Sequence, residues 1–212
     1  MSKSLLIELQ CFPTIYFFVE ALKHDHLILE GQENYRKGTY RNRYHIAGPN
    51  GLQRLSIPLA GGKHQQQPIQ EVGIAYGDNW ENQHWRSLTA AYGRAPFFIH
   101  YEEEIKDILF SKATTLWSFS MEALKCCVEL LDLELDWTIS PEFIKTPAAP
   151  ISDYRNHFRP KTDENPIGKD QLIRYPQVFP EKNGFMPNLS ILDLIFCQGP
   201  QAGILLQKAA LK

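Results

Sequence analysis

The sequence predicts a mixed fold of helices and strands, of the α+β or α/β class, in a single domain over residues 1–212. Three observations predict it. The chain opens with a strand–helix–strand pattern, a hairpin signal follows, and the middle and C-terminal parts repeat apolar residues at helical spacing. We therefore expect a small sheet from the N-terminal half, the β-α-β start plus the hairpin, packed with the middle and C-terminal helices. The pattern leaves the order of the strands open.

The β-α-β unit occupies the first thirty residues. An apolar run over 5–9 predicts a buried strand, and Pro13 suits the first position of a helix. Apolar residues over 15–22 then fall on one helical face, and 26–30 predicts the second strand. Strands joined in this way within one sheet lie parallel, with a right-handed crossover.

A β-hairpin is expected between 39 and 59. Two strand-like runs flank Gly48-Pro49-Asn50-Gly51, and an Asn-Gly turn is a strong short-range hairpin signal. In the second run Leu55 and Ile57 alternate with polar residues, which predicts that one face of the strand is buried. A further strand is expected over 71–76.

Helical spacing dominates the middle of the chain. The first of these helices is predicted to begin at Asp78, which with Glu81 resembles a capping box, and to end at Gly93. Two more helices are expected over 102–109 and 115–133. A short strand over 137–139 follows them.

The segment 141–187 is expected to be irregular, because it holds eight of the chain's 14 prolines and proline excludes long helices and central strands. After it, Ser190 and Asp193 form an S-x-x-D capping box at the start of an apolar helix that Gly199 ends. A last amphipathic stretch reaches Leu211.

Composition narrows the classes of function. A net charge of −2 offers no electrostatic footprint for nucleic acid, so no nucleic-acid partner is expected. No apolar run reaches the roughly 18 residues of a membrane span, and the N-terminus lacks the pattern of a signal peptide. The four cysteines form no C-x-x-C motif, which favours reduced thiols and a cytoplasmic protein. The sequence carries no familiar cofactor or metal motif, so neither group is expected.

The strongest candidate for ligand binding is the basic and aromatic run over 35–45. Its cations, interleaved with tyrosines, include Lys37, Arg41 and Arg43. On a strand Arg41 and Arg43 share one face, where guanidinium groups can hold phosphate or carboxylate, while Asn42 can orient polar groups. The alternative is a solvated hairpin face that nearby glutamates balance.

A second candidate lies on the predicted helix that ends at Gly93. His84 could serve as a general base near neutral pH, beside an aromatic wall of Trp85 and Tyr92 that can hold a sugar or an acyl group. The alternative is a core helix in which the histidine tip is only hydrogen-bonded.

Gln10 and Cys11 lie where the first strand ends and the first helix begins, a position at which open α/β sheets bind ligands. Gln10 would orient polar groups of a reactant. Cys11 could be a nucleophile, although a buried cysteine more often serves as a small hydrophobic residue.

In their order along the chain, several of these runs resemble the WbqC-like family of bacterial proteins. The resemblance covers nearly the whole chain and rests on residues 10–17 (Gln-Cys-Phe-Pro-Thr-Ile-Tyr-Phe), 40–43 (Tyr-Arg-Asn-Arg), 55–58 (Leu-Ser-Ile-Pro), His84-Trp85 through Ala91-Tyr92, 95–98 (Ala-Pro-Phe-Phe) and 187–193 (Pro-Asn-Leu-Ser-Ile-Leu-Asp). The resemblance implies an association with surface-polysaccharide loci such as those for O-antigen. It also implies transfer of an acyl or aminoacyl group to an amino sugar.

Two hypotheses follow. The first is a transferase that acts on a nucleotide-sugar or with an acyl donor, in which Arg41 and Arg43 hold phosphate, Asn42 and Gln10 orient polar groups, and His84 is the base. The second is a non-catalytic ligand-binding or scaffold protein of a polysaccharide assembly pathway, in which 141–187 is a docking surface or the arm of a homodimer. Convergence of Arg43, His84 and Gln10 on one pocket would favour the first hypothesis. Scattered positions, with His84 hydrogen-bonded inside the core, would favour the second.

Overall fold

A computed structural model describes residues 3–62, 64, 66–160 and 173–212. Helices and strands of both sheet types confirm the mixed class. In chain order the strands are β1 Ser4–Ile7, β2 His26–Leu29, β3 Arg43–Gly48, β4 Gly51–Ser56, β5 Trp137–Ile139 and β6 Ile151–Asp153. The helices are α1 Ile15–Leu22, α2 Trp80–Tyr92, α3 Phe98–Phe110, α4 Leu116–Leu130, α5 Pro180–Asn183, α6 Ile191–Gln198 and α7 Gln201–Ala210.

Four of the strands form a parallel sheet in the order β5-β2-β1-β6. The predicted parallel β-α-β start is confirmed, since Ser4 pairs with His26 on one side and with Ile151 on the other. After β1, the chain forms β2 and then β5 on one side of β1, and it then crosses to the opposite side of β1 to form β6. The strand order therefore reverses between β1 and β6. In open parallel sheets, ligands bind outside the carboxyl ends of the strands at such a reversal.

The β1 strand and α1 form the centre of the core. Leu5, Leu6 and Ile7 are completely buried, as expected of a central parallel strand with both faces covered. Thr14 caps α1, because its hydroxyl accepts a hydrogen bond from the backbone N–H of Phe17. Since α1 is buried along nearly its whole length and packs against α7, it fixes the end of β1 rigidly.

The predicted hairpin is confirmed as the antiparallel pair β3 and β4, joined at Asn50-Gly51. Its strands are shorter than the sequence suggested, because β3 begins at Arg43 and the chain before it forms a turn. Tyr44 and Ile46 point into the core, where β3 packs on α2. The opposite face of the hairpin carries Arg43, and it is described further below.

Two local predictions were wrong. Residues 71–76 form no strand: a short 3₁₀ turn over Ile69–Glu71 leads into single bridges at Gly73 and Ile74, which pair with different segments. Asp78 does not cap α2 either, since Asn79 is the N-cap residue in a left-handed conformation, and no side chain bonds to the helix end. Glu81 pairs instead with Lys112 on the neighbouring loop. In both places contacts with distant segments override the local pattern.

The expected start and end of α6 are confirmed, at Ser190 as N-cap and at Gly199. The capping box is incomplete, however. The backbone N–H of Ser190 donates to the carbonyl of His45, and the Asp193 carboxylate is used elsewhere. It accepts hydrogen bonds from three side chains, those of Tyr92, Tyr175 and Gln177. Asp193 therefore joins α2, α6 and the segment before α5, rather than closing its own helix.

Part of the proline-rich segment 141–187, residues 161–172, lies outside the described residues. The rest contains only the three-residue β6 and the four-residue α5 as regular elements. As the prolines require, β6 lies at the edge of the sheet. Among the helices that the structure describes, none combines the length and the apolar character needed to cross a bilayer.

Candidate functional site at the carboxyl edge of the sheet

Polar side chains converge where the parallel strands end. Glu8 follows β1, Glu30 follows β2, Ser140 follows β5, and Arg155 and Asn156 follow β6. Glu8, Glu30 and Ser140 are buried. The carboxyl ends of parallel strands meet at one edge of a sheet, so these groups lie together at the strand reversal described above.

Glu8 and Arg41 lie at the centre of this edge. The Arg41 guanidinium binds Glu33 in a bidentate manner, with Nε donating to Oε1 and Nη2 donating to Oε2, both at 2.6 Å. Its Nη1 donates to Oδ1 of Asn156 at 3.1 Å and lies 4.0 Å from Oε1 of Glu8. The backbone N–H of Asn156 donates to the other Glu8 oxygen at 2.6 Å. One guanidinium thus faces two buried carboxyl groups.

Glu8 has an unusual electrostatic environment. Its side chain is completely buried, and its Oε1 has no hydrogen-bond partner among the described residues. Burial raises the pKa of Glu8 to about 7, and nearby Arg41 only partly opposes this effect. A carboxyl group with such a pKa can both accept and release a proton near neutral pH, which is what general acid–base catalysis requires.

A second network braces the same edge. Glu30 accepts hydrogen bonds from the Ser140 hydroxyl at 2.6 Å and from Arg155 Nη1 at 3.0 Å. Arg155 also binds Asp153 through Nε and Nη2. Because every one of these charges is paired, this network positions the strand ends rather than offering a free charge to a ligand.

An open cleft of about 610 Å³ lies over these groups. Asn156 lines the cleft and has a positive φ of 60°, a backbone conformation that non-glycine residues rarely adopt and that recurs at functional sites. The lining is rich in amide, carboxylate and guanidinium groups, among them Gln32, Glu33, Asn34, Arg36, Arg155 and Asn156. These groups are suited to a ligand that carries several hydroxyl or amino groups.

The structure separates the residues of the basic run. Arg41 reaches the site, but it lies in the turn before β3 and is neutralised by Glu33, so it does not share a strand face with Arg43. The Asn42 side chain makes hydrogen bonds within the fold: its oxygen accepts one from the Tyr35 hydroxyl, and its amide nitrogen donates one to the carbonyl of Ile57. Lys37 is exposed, and its Nζ lies 3.2 Å from a His64 ring nitrogen.

The aromatic helix candidates lie elsewhere, in the core. His84 is hydrogen-bonded to the Tyr44 hydroxyl and to the backbone of Ser56, and burial lowers its pKa to about 4. The Tyr92 hydroxyl donates to Asp193 and accepts from a backbone N–H. Trp85 stacks on Phe98. The structure does not bring these three side chains to the carboxyl edge of the sheet.

Gln10 lies two residues beyond Glu8 and is fully buried. Its Oε1 accepts a hydrogen bond from the backbone N–H of Thr14, which braces the start of α1. Its amide nitrogen has no partner among the described residues. Cys11 is also fully buried, and burial raises the pKa of its thiol to about 12, so this thiol is not activated as a nucleophile.

Sequence reasoning missed Glu8 and Asn156, and it considered Glu33 only as one of the glutamates that could balance the basic hairpin. For Glu8 a local signal existed, because a carboxyl group that directly follows an apolar strand occupies the ligand-binding edge of a parallel sheet. No local signal could have identified Asn156, which reaches Glu8 from 148 positions along the chain. Its position depends on the pairing of β6 with β1.

The raised pKa of Glu8 predicts a specific pH dependence of stability. The folded state binds the Glu8 proton more tightly than the unfolded state, so this group stabilises the fold at low pH and loses that contribution as the pH rises from about 4.5 to about 7. We expect Glu8→Gln to gain stability relative to the wild type over that window, by on the order of 3 kcal/mol in total. Urea unfolding of both proteins from pH 4.5 to pH 8 measures the difference. A difference independent of pH would contradict the assignment.

Comparison with known proteins identifies the family of this chain. The WbqC-like protein family matches residues 10–156, more than half of the chain. The chain belongs to the WbqC-like protein family. The match runs from Gln10 to Asn156, so it includes all the described residues that line the cleft, whereas Glu8 lies just before it.

One relative is similar over almost its whole length. The uncharacterized protein Rv1507c of Mycobacterium tuberculosis (strain ATCC 25618 / H37Rv) is 24% identical over 228 residues, which cover 95% of this chain and 96% of the relative. No solved structure gives a significant match to this chain.

Proposed function

We propose that this WbqC-like protein is a cytoplasmic transferase that passes an acyl or aminoacyl group to the amino group of an amino sugar in surface-polysaccharide biosynthesis. The cleft at the reversal between β1 and β6 would be its active site. The observation that carries the proposal is Glu8, a buried carboxyl group with one unpaired oxygen and a pKa of about 7 beside that cleft. The four free cysteines are consistent with a reducing compartment.

The reaction needs a base with such a pKa. The sugar amine attacks the carbonyl carbon of the activated donor, a C–N bond forms, and the bond from that carbon to the leaving group breaks. The nitrogen must lose a proton in this process, and the leaving group must gain one. In the proposal, Glu8 accepts the first proton and supplies the second, so that it returns to its starting state. Because Glu8 is fully buried and does not line the cleft, the proposal requires a water molecule to carry the proton between the reacting amine and the Glu8 carboxylate.

The lining of the cleft supports a sugar as the acceptor. Amide and carboxylate groups such as those of Asn34 and Glu33 can each bind two neighbouring hydroxyl or amino groups of a ring. Phe143 adds an exposed aromatic surface on the same cleft, with Arg155 stacked on its ring at 5.2 Å. Polar groups around one aromatic surface are a common arrangement for a ligand with both apolar and hydrogen-bonding faces.

The residues singled out from the sequence take different parts in this proposal. Arg41 positions Glu33 and Asn156 and adjusts the charge near Glu8. Gln10 contributes its unpaired amide nitrogen as a donor, and Lys37 an exposed cation near the cleft. Tyr44 and Ser56 bind His84, so Glu8 replaces His84 as the proposed base.

The experiment combines ligand binding with turnover. Purified protein is screened by thermal shift against nucleotide-linked amino sugars, and the sugars that stabilise it are incubated with activated acyl and aminoacyl donors and analysed by mass spectrometry. Glu8→Gln should bind the same sugar and transfer about 100-fold more slowly, since it keeps the shape of the side chain but cannot accept the proton. Glu103→Gln, an exposed glutamate on α3, is the matched control and should keep full activity. Equal rates for both variants would refute the role of Glu8.

The non-catalytic alternative uses the same cleft. Two observations favour it. Arg43, His84 and Gln10 do not line the cleft, and His84 is hydrogen-bonded inside the core. The ion pairs of Arg41 with Glu33 and of Arg155 with Asp153 are closed, and paired charges can hold a rigid binding surface without chemistry. Under this alternative, the wild type binds an amino sugar, transfers nothing to it from any donor in the panel, and loses binding when Asn156 is replaced by Ala.

A further inference from the structure

One face of the β3–β4 hairpin is positively charged and only partly exposed, since His45 and Ala47 on this face are buried. Residues that lie directly opposite each other in an antiparallel pair share a face, so Arg43 lies beside Ser56, and His45 lies beside Arg54. With the next pair, Ala47 and Leu52, these residues make up one face of the hairpin. It carries two arginines and a histidine and no acidic residue.

Among the described residues, Arg43 differs from the other arginines that are not exposed in having no carboxylate partner. Arg41, Arg43 and Arg155 are the three arginines that are not exposed. Arg41 and Arg155 each bind a carboxylate through two nitrogens. Arg43 has no carboxylate within 4 Å among the described residues, and its Nε is shielded from solvent without a hydrogen-bond partner there.

The thiol and hydroxyl groups on which the Arg43 charge acts are neutral. The charge acts on the Cys11 thiol and on the hydroxyls of Tyr35 and Tyr40, and for all three burial keeps the pKa raised, so none supplies a negative charge at neutral pH. His45 packs edge-on against Tyr40 at 5.3 Å between ring centres. Burial together with Arg43 and Arg54 lowers the pKa of His45 to about 4, so its ring is neutral and presents one N–H donor.

A partly buried cation without a counter-ion is costly, because the protein replaces part of its hydration without supplying an opposite charge. Arg43 is therefore a destabilising feature of the unliganded protein. An anion that reached it would remove that cost and would find the planar fork of a guanidinium, which matches the geometry of a phosphate or a carboxylate.

We infer that Arg43, together with His45 and Arg54 on the same face, binds a phosphoryl group of a small molecule. Two arginines with no acidic residue between them favour a dianion over a singly charged carboxylate. The site is separate from the Glu8 cleft but close to it, since the Tyr35 hydroxyl is influenced by both Arg41 and Arg43. This inference rests on the proposed function only in assigning the phosphoryl group to a reactant of the transfer, such as the diphosphate of a nucleotide-sugar.

The test uses purified full-length protein and inorganic phosphate or diphosphate as probes. In a buffer free of multivalent anions, Arg43→Met should melt at the same temperature as the wild type or higher, because it removes an uncompensated charge. Phosphate should raise the melting temperature of the wild type in a saturable way. In Arg43→Met that rise should be lost, with an affinity at least about tenfold weaker.

Controls separate this site from general effects of charge. Arg86→Met, an exposed arginine on α2, makes the same change in net charge and should keep the full response to phosphate. Sodium chloride at equal ionic strength should not mimic phosphate, and acetate should be weaker if a dianion is preferred. The inference is overturned if Arg43→Met responds to phosphate as the wild type does, whatever its melting temperature, or if Arg86→Met loses the response equally. Because no sugar or donor is present, failure here leaves the Glu8 experiment unaffected.

Discussion

Replacing Arg41 by Met should lower the free energy of unfolding by about 3–5 kcal/mol, because it leaves buried carboxylates without their cation. Arg41 is 1% exposed, and its guanidinium holds Glu33 through two hydrogen bonds of 2.6 Å while facing Glu8. Methionine is similar in length and apolar character to the aliphatic part of the arginine side chain, so little of the lost stability comes from packing. Urea denaturation at pH 7.5 measures the change, with the slope of the transition checked for two-state behaviour.

A double variant identifies the cause of that loss. If an orphaned carboxylate is responsible, adding Glu33→Leu to Arg41→Met should recover a substantial part of the stability, with a coupling of about 0.5–3 kcal/mol between the two positions. Arg41→Lys should fall between the wild type and Arg41→Met, since an ammonium keeps the charge but cannot make the bidentate contact. A loss below about 1 kcal/mol for Arg41→Met would mean that the pair contributes no more than a surface ion pair.

Asp193→Ala is the second substitution with a large expected effect. The Asp193 carboxylate is completely buried and accepts from the hydroxyls of Tyr92 at 2.7 Å and Tyr175 at 2.5 Å, and from the Gln177 amide at 3.1 Å. Alanine would leave the Tyr92 and Tyr175 hydroxyls without their acceptor, and each such buried group costs about 1–3 kcal/mol. The Gln177 amide would lose one acceptor but keep the carbonyl of Met186. Because some donors can reorient or reach water, we expect a total loss of about 4 kcal/mol.

Two comparisons make the Asp193 prediction specific. Asp193→Asn keeps one acceptor oxygen for Tyr92 and offers an amide to the Tyr175 oxygen, so its loss should be about half that of the alanine variant. Asp107→Ala, an exposed aspartate on α3, should change stability by less than about 0.5 kcal/mol. Thermal and urea unfolding report both. A similar loss for Asp193→Asn and Asp193→Ala would show that charge, rather than the number of acceptors, decides the stability.

These two clusters have different relations to the proposed chemistry. The Asp193 cluster fastens α6 to α2 and to the segment before α5, and all of its donors are used within the fold. In the cluster of Glu8 and Arg41, one carboxyl oxygen has no hydrogen-bond partner in the part of the chain that the structure describes, and it lies beside an open cleft. An unsatisfied buried group is rare in folded proteins, and this one lies at the edge of the sheet where ligands bind. That contrast is why the proposed site is at Glu8 rather than at the conspicuous aromatic helix.

Much of the secondary structure was predictable because its signals are local. The apolar run of β1, the Asn50-Gly51 turn and the caps at Ser190 and Gly199 each depend on residues within a few positions of one another. The strand predicted over 71–76 is wrong, and it shows where a local pattern fails. Its alternating residues pair with two different segments, which a local pattern cannot show.

The candidate site was predicted only in part. The run over 35–45 pointed to Arg41 and Arg43. Whether the two side chains share a face depends on where β3 begins, and β3 begins at Arg43, so Arg41 lies outside the strand. His84 matched the type of residue that serves as a base, yet burial in the core lowers its pKa to about 4. The same physical effect raises the pKa of Glu8 to about 7, so burial decides which of the two can exchange protons near neutral pH.

The amino-acid sequence alone indicates most of the helices and strands, the opening parallel crossover and the resemblance to one family, but it indicated neither β6 nor the irregular backbone over 71–76. The tertiary structure alone shows that β6 pairs with β1, which brings Asn156 against Glu8 and creates the strand reversal at the cleft. The reason is physical. Hydrophobic periodicity, helix caps and turns depend on residues a few positions apart, whereas strand order, burial and the pairing of charges depend on contacts between segments far apart in the chain. The proposed chemistry depends on the second kind of information.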